Sequence, residues 1–163
     1  MTTVQRKYAL LILVVGAVFM GDQASKALVV ERIPLYHALP VIEGFFNLTH
    51  VHNAGGAFGF LAGQHPILRT VLFLSASVLA IGLVLVFHHR TAPGYPWLSA
   101  AFALILGGAL GNLADRLRMG SVIDFLDVYI GRYHWPAFNV ADSAITVGIG
   151  IFVVLLLLRR LPE

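Results

Sequence analysis

Four stretches of the chain are apolar enough, for long enough, to be read as membrane-crossing helices. A bilayer core about 30 Å thick needs about 20 helical residues to cross it. The first stretch runs from about Tyr8 to Val30, uncharged as far as Gly21 and then carrying Asp22 and Lys26. The second covers about Ile67 to Phe87, the third about Tyr95 to Leu117, and the fourth about Asn139 to Leu158. Helix is the predicted conformation, because lipid offers no partner to a backbone N–H or C=O. Gly82, Gly107, Gly108, Gly111, Gly148 and Gly150 fall inside these runs, where small residues let helices approach closely.

The segments between the apolar runs differ in character. Phe87 to Gly94 reads as a short turn, whereas Arg32 to Pro66 is long and carries Pro34, Pro40, Gly44, Gly55, Gly56, Gly59 and Gly63. Its middle, Phe45-Phe46-Asn47-Leu48-Thr49-His50-Val51, is rich in aromatic and β-branched residues and reads as strand. A second polar link, holding Val122-Ile123-Asp124-Phe125, joins the third and fourth runs. Four spans put both long connections on one side of the membrane and both termini on the other. The predicted fold is therefore all-α, with four transmembrane helices and a small extramembrane β element between helices 1 and 2. Residues 1–163 are taken as a single integral membrane domain.

Composition strengthens this picture. The chain is 58% hydrophobic and 12% charged, against about 45–50% and 25% in globular chains. Arg6 and Lys7 before the first run resemble the start of a secretory signal, but three further apolar runs favour a retained first span. No cysteine is present, which excludes disulfide and thiolate chemistry. The net charge of +3 is spread over segment ends with no basic stripe, so no nucleic-acid partner is expected. Arg6, Lys7, Arg90, Arg159 and Arg160 lie on the side of the termini. Arg32, Arg69, Arg118 and Arg132 lie on the other, so the positive-inside rule places the termini in the cytoplasm only if Lys26 and Arg116 are set aside.

Charges inside spans are costly and mark candidate sites. Asp22 and Lys26 stand at an i, i+4 spacing on one helix face, suited either to an interfacial pair with a snorkelling lysine or to supporting a site. Asn112 and Arg116 share a face in the same way, beside Asp115; the Arg116 fork could hold a peptide backbone or simply neutralise Asp115. Asp124 and Asp142 flank one loop at a membrane edge. Two acids at a common site cannot both ionise cheaply, so the pair would hold one proton. Its charged member could then take a proton from water while the neutral member polarises a carbonyl. Asn139, three positions before Asp142, could orient a carboxylate or cap the helix, and an acid in a first helical turn is also favoured by the macrodipole.

Other chemistries find little support. The seven histidines include no H-E-x-x-H, so no zinc site on a helix is expected. Ser25 adjoins Lys26, but adjacent helical side chains diverge, and no Gly-x-Ser-x-Gly is present.

Five motifs in order now carry a resemblance. They are Asp22-Gln23-Ala24-Ser25-Lys26, Asn53-Ala54-Gly55-Gly56-Ala57-Phe58-Gly59, Gly111-Asn112-Leu113-Ala114-Asp115-Arg116, Val122-Ile123-Asp124-Phe125 and Phe138-Asn139-Val140-Ala141-Asp142-Ser143. On a four-span chain of this length, the set resembles the bacterial lipoprotein signal peptidase (signal peptidase II) family. The resemblance implies an aspartic endopeptidase of the bacterial cytoplasmic membrane. It would remove the signal peptide from prolipoproteins, cutting just before the diacylglyceryl cysteine, without metal or cofactor. It makes Asp124 and Asp142 the catalytic acids. Asn53, Gly55, Asn112, Arg116 and Asn139 become substrate-positioning or site-supporting, and Asp22 and Lys26 structural supports. It further implies cytoplasmic termini, an active site near the outer leaflet, a β-cradle with a mobile helical flap, and sensitivity to globomycin. Expected partners are the prolipoprotein substrate and membrane lipid, with the enzyme a monomer.

Two other classes remain open on the residues alone. One is a small ion- or proton-coupled transport protein using Asp22, Lys26, Asp115 and Arg116 as a relay, although no inverted repeat is visible between the halves. The other is a non-catalytic assembly subunit whose polar residues only join helices.

Overall fold

The computed structural model describes residues 1–55 and 63–161. The second half of the glycine-rich motif, Gly56 to Gly59, lies outside the described residues. Four long helices form: α1 (Thr3–Arg32), α2 (Pro66–Arg90), α3 (Pro96–Met119) and α4 (Val140–Leu157). Each is long and apolar enough to cross a membrane. Their starts are written locally. Thr2 caps α1 in a reciprocal box with Gln5, and α2 and α3 begin on prolines, which lack the N–H a first turn cannot use. Asn139 caps α4 in a second box with Asp142. The third helix stops where Gly120 takes φ +69° and returns its N–H to the Arg116 carbonyl.

The helix α3 is central: it packs against α1, α2 and α4, and most of the buried span residues belong to it. Its small residues permit the close approach. A Cβ on Gly107 would meet Val18 at 2.8 Å, and one on Gly111 would meet the Asp22 carboxylate at 2.6 Å. Gly148 of α4 faces the Ala101 carbonyl in the same way, whereas Gly82 and Gly150 face open space. The outer helix α2 buries only His88 and presents apolar side chains outward, as lipid contact requires.

Between the helices lies a four-stranded antiparallel sheet in the order β1 (Ala38–Ile42), β2 (Phe46–Asn53), β3 (Val122–Ile130), β4 (Tyr133–His134). The sequence reading placed a strand over Phe45–Val51 and treated the link around Asp124 as a polar loop. That link is in fact a nine-residue strand paired along β2. Its β potential lies in Val122-Ile123-Asp124-Phe125-Leu126, whose alternation shows only once β2 supplies a partner. The β2–β3 pairing also fixes the two long connections at one end of the bundle. The termini lie at the other end, where the Lys7 amine caps the C-terminus of α2 through the carbonyls of His89 (3.2 Å) and Thr91 (2.6 Å).

Candidate active site

The strand β3 delivers Asp124 by simple alternation. Ile123 and Phe125 point one way and pack with Val29 and Ile33 at the end of α1. Val122 and Asp124 point the other way, and Asn53, paired across from Val122, joins them on that face. The Asn53 amide donates to Asp124 Oδ2 at 2.9 Å, and Asn53 Oδ1 accepts the Gly55 N–H at 3.0 Å, closing a tight turn.

The cap of α4 delivers the second acid. Asn139 Oδ1 accepts the Asp142 N–H at 2.9 Å, and Asp142 Oδ2 accepts the Asn139 N–H at 3.3 Å. The same Asn139 amide donates to Asp124 Oδ1 at 2.8 Å, with the Ile123 carbonyl and Asn112 Oδ1 each at 3.2 Å. Asn139 thus both caps the helix and orients a carboxylate, and it ties Asp124 to Asp142. Asn112 completes the ring by donating to Asp142 Oδ1 at 2.7 Å.

Asp124 is 2% exposed. Burial pushes its carboxyl up to about 7; the Asn53 amide opposes this, the negative charge of Asp142 adds to it, and Asn139 and Lys26 oppose it weakly. Near neutral pH this acid therefore spends much of its time protonated.

Beneath the site lies a second carboxylate pair. The Lys26 amine sits 2.8 Å from Asp22 Oδ2, 2.7 Å from Asp115 Oδ2 and 3.1 Å from Asn112 Oδ1. Three acceptors match its three donors, and the lysine, 2% exposed, does not snorkel. Asp22 Oδ1 accepts the Ala141 N–H at 3.0 Å, so α1 satisfies one of the orphan donors in the first turn of α4. The Gln23 amide adds a strap, reaching Asp22, Asp115 and the Gly111 carbonyl. Sequence reading missed Gln23; its only signal was a polar residue between two others late in an apolar run.

Arg116 is not the partner of Asp115, which belongs to Lys26 and, at 3.5 Å, to Arg118. Its guanidinium lies 5.1 Å from the centre of the Phe73 ring and feels the charges of Asp142 and Asp124. Of the proposed relay, Asp22, Lys26 and Asp115 form one ion cluster and Arg116 stands apart from it.

Arg116, Asn53, Gly55, Asn112, Asp124 and Asp142 all line one cavity of about 580 Å³. Its remaining wall is largely apolar and includes Trp135, Pro136, Phe138, Ile145 and Val147, which sequence reading did not single out. Two carboxylates, one cation and several amides facing an apolar hollow suit a ligand with a peptide part and a greasy part. Among the described residues, no group of three or more His, Asp or Glu has a metal-holding arrangement.

Comparison with known proteins shows the family and the fold. Residues 14–158 match the family described as signal peptidase (SPase) II. A lipoprotein signal peptidase of Desulforapulum autotrophicum is 52% identical over 142 residues, covering 87% of this chain and 88% of that one. A lipoprotein signal peptidase of Syntrophus aciditrophicus is 46% identical over 154 residues, covering 94% and 95%. Among solved structures, a bacterial membrane enzyme determined by the in meso method at 2.3 Å resolution superposes with a TM-score of 0.81. It has 31% identity over 90% of this chain and 87% of that one.

Proposed function

The chain belongs to the signal peptidase II family, and on that footing we propose that it is an aspartic endopeptidase acting on diacylglyceryl-modified prolipoproteins through Asp124 and Asp142. The observation that carries this reading is the double engagement of Asn139, whose side-chain amide donates to Asp124 Oδ1 and whose backbone N–H donates to Asp142 Oδ2 at the wall of one cavity. The pair shares one proton. Asp124, with its raised pKa, carries it near neutral pH, and the charged partner takes a proton from a water. The resulting hydroxide adds to the scissile carbonyl while the protonated acid donates to the carbonyl oxygen. Collapse of the tetrahedral intermediate returns a proton to the departing amine of the lipidated cysteine and frees the signal peptide carboxylate. Arg116 and Asn112 hold the peptide backbone, and the apolar wall takes the lipid anchor.

Orientation follows the same reading. Lys26 is neutralised by Asp22 and Asp115 and Arg116 serves the cavity, so both drop out of the charge balance. The remaining bias supports cytoplasmic termini and a site near the outer leaflet of the cytoplasmic membrane. A lipid-anchored substrate then reaches the cavity sideways from the bilayer.

The test is cleavage of a diacylglyceryl prolipoprotein by purified protein. Asp124→Asn and Asp142→Asn should each lower turnover by at least about a thousandfold, as loss of a general acid or base does. Both variants should still fold and insert, and wild-type activity should survive chelators. Near-normal turnover in either variant removes the assignment, and activity lost to EDTA and restored by zinc would point to a metallopeptidase.

A further inference from the structure

The two ends of the bundle differ sharply in charge. Every acid among the described residues (Asp22, Glu31, Glu43, Asp115, Asp124, Asp127 and Asp142) belongs to the half that holds the sheet and the site. The end bearing the termini holds Arg6, Lys7, Arg90, Arg159 and Arg160. Lys7 is committed to the C-terminus of α2. Arg90 is exposed, and its guanidinium has neither an ion pair nor a hydrogen bond among the described residues.

Beside Arg90 lies a second cavity, of about 560 Å³, between the last turn of α2, the first turns of α3 and the outer half of α4. This falls within the range of about 300–1,000 Å³ that small-molecule sites occupy. Its wall is a run of aromatic rings: Phe87 stacks on Phe102 at 6.4 Å between centroids, and Phe102 meets Phe152 at 6.2 Å. Ile149 and Leu98 extend it. Thr91, at the mouth, spends its hydroxyl on the Phe87 carbonyl. An apolar slot entered between spans, with a cation at the helix ends where headgroups lie, matches one chemistry: a phosphate joined to an acyl chain.

We propose that this cavity binds an anionic phospholipid from the leaflet at the end of the termini, one acyl chain against Phe87, Phe102 and Phe152 and the phosphate on Arg90. Free phosphate lacks the chain that would fill the aromatic slot, and a zwitterionic lipid brings a cation against a surface already positive. The site is separate from the Asp124/Asp142 cavity and does not depend on its chemistry.

The experiment is native mass spectrometry of the full chain, purified in zwitterionic detergent and equilibrated with equal amounts of phosphatidylglycerol and phosphatidylcholine of the same chain length. One phosphatidylglycerol should be retained with about fivefold preference, the effect of roughly one interfacial cation. Arg90→Gln should bring the preference close to parity while leaving peptide cleavage unchanged, and Ile149→Trp should reduce retention of both lipids by narrowing the slot. The double change Arg159→Gln, Arg160→Gln should keep the preference, and glycerol phosphate should not displace the lipid. Equal retention of both lipids by the unaltered protein would overturn the proposal. So would a preference that follows Arg159 and Arg160 in place of Arg90, or displacement by glycerol phosphate alone.

Discussion

Two pairs of carboxylates lie side by side in this molecule, Asp142 half-buried and the other three acids buried, and they are managed in opposite ways. Asp22 and Asp115 share a cation: Lys26 stands within 2.8 Å of both. Asp124 and Asp142 both meet Asn139, Asp124 at its side-chain amide and Asp142 at its backbone N–H, and both open on a cavity. The first pair is held through one shared cation, joins α1 to α3 and caps α4, and Arg118 stands at 3.5 Å from its outer member, Asp115. The second pair has donors enough to be held in place but, among the described residues, no cation bonded to either acid. Its charge and its proton remain available to a ligand. A lysine in the middle makes a brace, and an asparagine in the middle leaves a pair that lines a cavity.

Several changes would break or sharpen that contrast. The largest effect on stability is expected from Lys26→Met. Removing one partner of a buried ion cluster leaves uncompensated charge and costs about 3–5 kcal/mol. The loss should appear as a lower yield of folded protein and a lower unfolding temperature in detergent. A variant as stable as the parent would mean that the cluster is not a brace.

Asp124 should show the opposite behaviour. Its folded pKa of about 7 lies above the ordinary value of 3.8. Between about pH 4 and pH 7 the folded state keeps a proton that the unfolded state has lost, so stability falls as pH rises. At about 1.4 kcal/mol per pKa unit, the fall over that window reaches up to about 4 kcal/mol. Asp124→Asn should flatten it, read as unfolding temperature against pH for the two proteins. A parent protein that gains stability from this group as pH rises would sink the reading.

Asn139→Ala should cost about 1 kcal/mol of stability through the lost cap. It should lower turnover by at least about tenfold, since Asp124 loses an amide donor and the turn that carries Asp142 loses its side-chain cap. Proportionate effects on both would reduce Asn139 to a cap. The smallest effect is expected from Arg118→Ala. Its contact with Asp115 is long and its side chain is 60% exposed, and exposed pairs contribute about 0–1 kcal/mol. Unchanged melting and unchanged cleavage are the expected results. A large loss would show that Asp115 needs more than Lys26.

Reading the chain in one dimension recovered the spans because the bilayer imposes a length and a polarity that each helix must meet alone. The helix bounds moved only at their ends, where Lys7, Arg32 and Arg90 extend the spans beyond their apolar cores. The polar residues of the five motifs were equally visible, since a charge in an apolar run stands out without any partner. What each one touches was not. Arg116 could be matched with Asp115 on paper because they are adjacent, yet adjacent helical side chains diverge. Asp115 turns to Lys26 and Arg116 turns to the cavity. The strand β3 was hidden for a related reason: Ile123 and Phe125 are buried because α1 ends above them, and nothing in the local pattern of the link announces that.

Local composition therefore marked four spans long enough to cross and made the acids visible as candidates, and the five ordered motifs singled out Asp124 and Asp142 as the expected pair. Tertiary structure decided which acids share a lysine and which line the cavity. That choice depends on contacts such as Gln23 with Asp115, 92 positions apart, and Asn53 with Asp124, 71 apart. Such contacts follow from helix rotation and strand register, which packing of the whole chain sets and no single segment encodes.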